Sequence, residues 1–146
     1  MPTVLRHLLA LVSVCTAATL TAADAPSSAE LPGLKVGEKA PAFSLPSAAG
    51  PNLALRDLLA KGNVALVFVR SADWCPFCRT QLQDLQKSLA QIEGSGVQLV
   101  ALSYDSPATN AAAVKKLGLT FPLLSDAGSK VIDAYGIRNH EAKGRG

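Results

Sequence analysis

Apolar and polar positions alternate along the chain with periods that change from segment to segment. Leu8 to Leu20 is an apolar run near the start. Asp24 to Pro32 is rich in Ala, Ser and Pro and reads as a flexible linker. Val36 to Leu45 opens the folded part with a short extended piece, and Pro46 to Asn52 reads as a turn region. Leu53, Leu55, Leu58 and Leu59 predict a brief helix ending at Lys61-Gly62. Val64 to Val69 is an unbroken apolar run of strand length, and its β-branched content predicts a strand buried on both faces. Leu82, Leu85, Leu89 and Ile92 then recur at helical spacing with Gln, Asp and Lys between them. That pattern predicts the longest helix, over 76–93, stopped by Gly94 and Gly96.

Val97 to Tyr104 predicts a second strand. Asp105-Ser106-Pro107 has the composition of a helix start, with Asp105 and Ser106 as caps and Pro107 near the first helical position. The helix runs through Ala111, Val114 and Leu117 to Gly118. Phe121 to Leu124 predicts a short strand, and Ser129 to Tyr135 a short helix closed by Gly136. Strands alternating with helices call for an α/β fold with parallel pairing and right-handed crossovers.

Length and charge narrow the function classes. With 146 residues the chain has room for one domain and some tail. The net charge of +3 is spread along the sequence, without a basic cluster interleaved with aromatics, so nucleic acid is not an expected partner. Residues 1–25 read as a secretory signal: Arg6 and His7 form the basic start, Leu8 to Leu20 the apolar centre, and Ala23-Asp24-Ala25 the cleavage pattern, with Thr21-Ala22-Ala23 as a second site. The apolar centre is shorter than the roughly 20 residues of a spanning helix. The expectation is an exported chain, periplasmic or secreted, with no membrane contact after cleavage; the alternative is an uncleaved N-terminal anchor. Residues 26–35 form the linker and 36–146 the folded domain.

The chemistry sits at Trp74-Cys75-Pro76-Phe77-Cys78, between the apolar run and the long helix. Two intervening residues put the cysteines one helical turn apart, close enough to bridge. The first sulfur then lies at a helix N-terminus, where unpaired N–H groups and the helix dipole favour a thiolate. Cys78 lies four residues before Leu82 and shares its buried face. Cys75 lies outside the first turn and is expected to be the more exposed, attacking thiol, with Cys78 resolving. A bridge closing so small a loop is a poor structural staple, which favours a redox role. Pro76 sets the helix start and tunes the potential, Phe77 contributes shape, and Trp74 is either plain core or a cover for the pair. Arg70 and Arg79 flank the site as candidates for lowering the Cys75 pKa, with two solvated charges as the alternative; Asp73 opposes that effect only if it points inward.

The third cysteine, Cys15, follows Val14 inside the apolar centre and reads as an ordinary small residue there. Cleavage leaves Cys75 and Cys78 as the one thiol pair. With His140 as the one remaining histidine, four zinc ligands are not assembled, and His140 reads as surface. Neither a metal nor an organic cofactor is expected.

These segments together resemble the thioredoxin-like redoxins, specifically the alkyl hydroperoxide reductase/thiol-specific antioxidant (AhpC/TSA) group of peroxiredoxin-like proteins. Val36-Gly37-Glu38-Lys39-Ala40-Pro41-Ala42-Phe43-Ser44-Leu45 is similar to the family's opening motif, and Trp74 to Cys78 to its redox site. Leu102-Ser103-Tyr104-Asp105-Ser106, Gly118 to Asp126 and Tyr135-Gly136-Ile137 continue the likeness over about 36–138. The resemblance implies a three-layer α/β/α fold around a central, mostly parallel sheet. It also implies a disulfide-bearing protein or small-thiol substrate, or a peroxide, and an electron-donating thiol partner.

The departures bear on which substrate is expected. Typical peroxiredoxins carry Pro and then Thr or Ser before the reactive cysteine; here Phe68 and Ala72 hold those places, so the hydroxyl that orients a peroxide is missing. Val69 stands where thioredoxins hold a buried Asp. The family's final β-hairpin and helix have no counterpart before Gly146, so the domain is expected to be incomplete at its C-terminus, with one edge of the Val64–Val69 strand unpaired. Arg145 is the candidate for the family's active-site arginine. The expected function is thiol–disulfide exchange through Cys75 and Cys78, with a thiol peroxidase as the alternative, and an inactive or misfolded fragment as the other.

Overall fold

The computed structural model describes residues 32–140. The signal segment, most of the linker and Arg145 lie outside the described residues. Five strands and five helices follow in order. They are β1 (Ser44–Ser47), β2 (Gly50–Ala54), α1 (Leu55–Leu59), β3 (Asn63–Phe68), α2 (Pro76–Lys87) and α3 (Leu89–Gly94), then β4 (Val97–Ser103), α4 (Pro107–Leu117), β5 (Leu123–Ser125) and α5 (Lys130–Ala134). The sheet order is β2-β1-β5-β4-β3. β3, β4 and β5 run parallel, while β1 is antiparallel to both β5 and β2.

Side-chain alternation along the strands builds two cores. Leu99 and Ala101 of β4 face one side, with Cys78, Leu82, Leu89, Ala113 and Phe121. Val100 and Leu102 face the other, with Phe43, Leu55, Leu58 and Val131. Leu123 and Leu124 of β5 divide in the same way. Successive strand residues point to opposite faces, so an unbroken apolar run is what a strand covered on both sides requires. The result is the three-layer thioredoxin-like fold, with α2, α3 and α4 on one face and α1 and α5 on the other.

Four expectations are corrected. The turn region 46–52 holds β2 and the end of β1, paired as Leu45 to Leu53 and Pro46 to Asn52, with a bulge at Ser47. β2 lies at the sheet edge and is largely exposed, and at an edge Pro51 need not donate to a neighbour. The predicted strand 64–69 is β3 at the opposite edge, pairing among the described residues with β4 alone; what differs from expectation is its burial, half-buried rather than buried on both faces. The long helix is two helices. Ser88 (φ −92°, ψ 0°) ends α2 and starts α3, and its carbonyl accepts the Gln91 and Ile92 N–H groups, so the break leaves its backbone paired. The fourth concerns Asp105, which caps no helix.

The cap of α4 is Ser106, whose Oγ accepts the Thr109 N–H at 3.1 Å, with Pro107 inside the first turn. Gly118 ends that helix at φ 65°, which a β-carbon disfavours, with Lys115 and Lys116 in the last turn opposite the dipole. At α5 the buried Asp126 Oδ2 accepts the Val131 and Ile132 N–H groups, each at 2.9 Å.

Leu82 ties α2 to this core. It is fully buried, at 0% exposure, beside Cys78. Urea denaturation is expected to show Leu82→Ala destabilised by about 2–5 kcal/mol. Leu59→Ala, at a residue 54% exposed, should stay within about 0.5 kcal/mol of wild type.

Candidate active site

The site is built where β3 gives way to α2. Val69 N–H bonds to the Leu102 carbonyl at 2.9 Å, carrying the β3–β4 ladder one residue further. The chain then turns through 70–74. Cys75 is the N-cap of α2, in extended conformation (φ −87°, ψ 107°), and its sulfur accepts the Cys78 N–H at 3.3 Å. Pro76 occupies the first helical position and has no N–H. The free donors of the first turn are therefore those of Phe77 and Cys78, and both act on the Cys75 sulfur.

Both cysteines are buried, at 3% exposure for Cys75 and 8% for Cys78. Both residues are closed to solvent, and the protein packs more densely around Cys78 than around Cys75. The thiols are unbridged, and they differ in electrostatics. Burial pushes the Cys75 thiol up. The hydrogen bonds from the Cys78 side chain and backbone, the Arg70 charge and the Phe77 N–H outweigh burial, and its pKa lies below that of an ordinary thiol. Burial also raises Cys78, the hydrogen bond and charge of Cys75 raise it further, and the backbone amides of Ser71 and Arg70 only partly offset this. One thiol is poised to ionise and the other to hold its proton.

The flanking residues divide their tasks. The Trp74 indole Nε1–H donates to Tyr104 Oη at 2.9 Å, and the Arg70 guanidinium stands 5.3 Å from the ring centre. Arg70, not Arg79, supplies the charge that lowers Cys75. Arg79 Nη1 donates to the Asp73 carbonyl at 2.7 Å and closes the loop onto α2. The Asp73 side chain is exposed, as is His140, and Phe77 projects into solvent at 85% exposure.

Asp105 is the residue whose role sequence reasoning missed. Its carboxylate is buried and accepts Ser71 Oγ at 2.9 Å, Ala72 N–H at 2.8 Å and Ser103 Oγ at 3.1 Å. Ser71 Oγ accepts in turn from the Asp73 and Trp74 N–H groups, at 3.1 and 3.2 Å. The Ser71 hydroxyl is thereby committed to the loop and does not replace the hydroxyl missing at Ala72. The signal available in the sequence was two adjacent cap candidates, Asp105 and Ser106, for one helix end that needs a single cap.

A cavity of about 180 Å³ lies behind this loop, walled by Phe68, Val69, Ile132 and Ile137 with Arg70 and Tyr104 at one side; neither cysteine lines it. Among the described residues no group of three or more His, Cys, Asp or Glu side chains has metal-binding geometry.

The AhpC/TSA family profile matches residues 36–146, and the chain belongs to that family. A Mycobacterium tuberculosis protein named as a peroxiredoxin is 39% identical over 103 residues, covering 70% of this chain and 64% of that protein. The thiol-disulfide oxidoreductase ResA of Halalkalibacterium halodurans is 35% identical over 106 residues, covering 71% of this chain and 58% of ResA. The crystal structure of peroxidoxin BcpB from Mycobacterium tuberculosis superposes with a TM-score of 0.64 at 26% identity, over 72% of this chain and 65% of that one. The chain thus spans somewhat under two thirds of the length of these relatives.

The Arg70 contribution is open to direct measurement. Because a lowered pKa places thiolate at lower pH, Cys75 should alkylate faster than Cys78 at neutral pH. Arg70→Ala should raise the Cys75 pKa and slow its alkylation by iodoacetamide at pH 7 roughly two- to fivefold, the size of an exposed charge interaction. The two proteins should converge at high pH, where Cys75 is fully ionised in both. An unchanged pH–rate profile would show that Arg70 does not act on the sulfur.

Proposed function

We propose that the chain is an exported thiol–disulfide oxidoreductase whose catalytic residues are Cys75 and Cys78. The observation that carries this reading is the placement of Cys75 as the N-cap of α2, its sulfur accepting the Cys78 N–H at 3.3 Å with the second thiol one turn along, and the opposite displacement of the two thiols follows from it. The Cys75 thiolate attacks a substrate disulfide, forms a mixed disulfide and releases one substrate sulfur as thiolate. Cys78 loses its proton and attacks the Cys75 sulfur of that bond. The second substrate thiolate leaves and the Cys75–Cys78 disulfide forms. A partner dithiol then reduces this disulfide and is itself oxidised. The electrons reside on sulfur throughout, so the cycle needs neither metal nor organic cofactor. Trp74 and Pro76 shape the approach, and Phe77 presents an apolar side chain beside the nucleophile, where a disulfide-bearing protein would meet it.

Export rests on residues 1–25, with cleavage after Ala25 or Ala23 leaving the linker 26–35 ahead of the domain. Retention of the segment as an anchor is the alternative. N-terminal sequencing of the chain recovered from a periplasmic fraction separates the two.

Peroxide reduction is the second reading, favoured by the peroxiredoxin names among the relatives. The Cys75 thiolate would take the distal peroxide oxygen, a proton would complete the alcohol or water product, and the sulfenic acid would condense with Cys78, releasing water. Ala72 leaves that route without its orienting hydroxyl.

In an insulin-reduction assay driven by dithiothreitol, wild type should accelerate precipitation and Cys75→Ser should fall to the uncatalysed rate. Cys78→Ser should accumulate a mixed disulfide. Equal activity in Cys75→Ser and wild type would overturn the reading, as would a wild-type chain that neither unfolds cooperatively nor exchanges thiols. Hydrogen peroxide should be consumed no faster than by free cysteine; fast consumption would favour the peroxidase.

A further inference from the structure

Asp105 is a charged side chain in a place that excludes water, and the attack of Cys75 makes no direct use of it. Its two oxygens fix the 70–74 loop through four groups: the Ser71 hydroxyl and Ala72 N–H directly, and the Asp73 and Trp74 N–H groups through Ser71 Oγ. On its other side the cluster is anchored to the scaffold. Ser103 Oγ, at the end of β4, divides its one proton between Asp105 Oδ2 and Asn110 Oδ1, at 3.1 and 3.0 Å. Asn110 of α4 donates to the Leu124 carbonyl of β5 at 3.1 Å, and Ser125 Oγ donates to the Asp105 carbonyl. All buried side-chain polar atoms of the described residues are paired.

Helix capping does not account for this carboxylate, since Ser106 caps α4. A buried charge is costly to desolvate and is weak evidence for stability. What it does here is hold one loop, and that loop packs beside the second sulfur, with Val69 and Ala72 buried in one cluster with Cys78. The backbone amides of Ser71 and Arg70 favour the Cys78 thiolate against burial and against the neighbouring Cys75.

We propose that Asp105 is a positioning residue for the second half of the exchange, holding the 70–74 loop where its backbone donors support the Cys78 thiolate as that sulfur attacks the mixed disulfide. The inference rests on the reading of Cys75 and Cys78 as the redox pair. In that step Cys78 gives up its proton to solvent, the Cys75–substrate S–S bond breaks, the Cys75–Cys78 bond forms, and the substrate sulfur leaves with the electron pair as thiolate. Asp105 touches none of these atoms; it acts through Ser71 and Ala72.

The full chain carrying Cys15→Ser, which leaves Cys75 and Cys78 as its two thiols, tests this with 5,5′-dithiobis(2-nitrobenzoate), because each half of the exchange then releases one coloured thiolate. Acid quenching and mass spectrometry report the mixed disulfide between them. In Asp105→Asn, which puts an NH₂ donor against groups that themselves donate, the mixed disulfide should live roughly tenfold longer, the equivalent of about one pKa unit at Cys78. In Ser71→Ala, which removes the hydroxyl relay alone, it should live about threefold longer. Alkylation of Cys75 by iodoacetamide should keep its wild-type pH profile within about twofold in both, since the N–H donors to that sulfur belong to α2 and the exposed Arg70 charge, the other group that lowers it, bonds to neither Asp105 nor Ser71.

Mixed-disulfide lifetimes within about twofold of wild type would overturn the proposal. So would a parallel loss of Cys75 reactivity, which would mark Asp105 as a general support of the loop. If Asp105→Asn does not unfold cooperatively, Ser71→Ala decides on the same criterion. Failure of the underlying reading looks different: the chain carrying Cys15→Ser alone would itself release no second equivalent of coloured thiolate.

Discussion

Ser71 and Ala72 hang from the Asp105 carboxylate by bonds of 2.9 and 2.8 Å, at a point where the sheet ends and the redox helix begins. The loop between β3 and α2 has no ladder of its own beyond Val69. Its amide groups must be paired once water is excluded, and the carboxylate and the Ser71 hydroxyl supply the acceptors. The amides of Ala72, Asp73 and Trp74 take their positions from this arrangement. The loop delivers Cys75 to the N-cap of α2, Arg79 reaches back to the Asp73 carbonyl, and Trp74 stands between Tyr104 and Arg70. The other half of the support is Leu82, which pins the same helix to the core.

Two buried cysteines acquire opposite tendencies because of where they stand on one helix. Burial alone disfavours both thiolates. Cys75 sits at the end where amide N–H groups are unspent, and Pro76 contributes none, so Phe77 and Cys78 donate to its sulfur. Cys78 lies inside the first turn, where its own N–H is spent on Cys75. Donor geometry sets the two sulfurs apart. Family membership narrows the chemistry to thiols, disulfides and peroxides without choosing among them, and the chain resembles proteins named for both activities. The choice proposed for it follows from Ala72 and from a Ser71 hydroxyl already engaged.

Much of the fold was legible in the sequence, and the exceptions have physical causes. β4 reads as a strand because both of its faces meet apolar layers, and α4 reads as a helix because Ser106, Pro107 and Gly118 mark its ends. β2 did not, because an exposed edge strand containing Gly50, Pro51 and Asn52 has the composition of a turn and owes its conformation to pairing with β1. The break at Ser88 was hidden because Leu85, Leu89 and Ile92 keep helical spacing across it. Cys75, Cys78, Trp74 and Pro76 were visible as a contiguous motif. Asp105 was not, because its partners Ser71 and Ala72 lie more than thirty residues away and only the folded sheet brings them together.

The central claim is that the start of α2 makes Cys75, and not Cys78, the thiol that ionises first. Thiolate absorbance at 240 nm, followed against pH in the reduced full chain carrying Cys15→Ser, reads this directly. One ionisation below that of an ordinary thiol should appear, remain in Cys78→Ser and vanish in Cys75→Ser. A low ionisation that survives Cys75→Ser, or two thiols that both titrate at or above the ordinary value, would contradict the account.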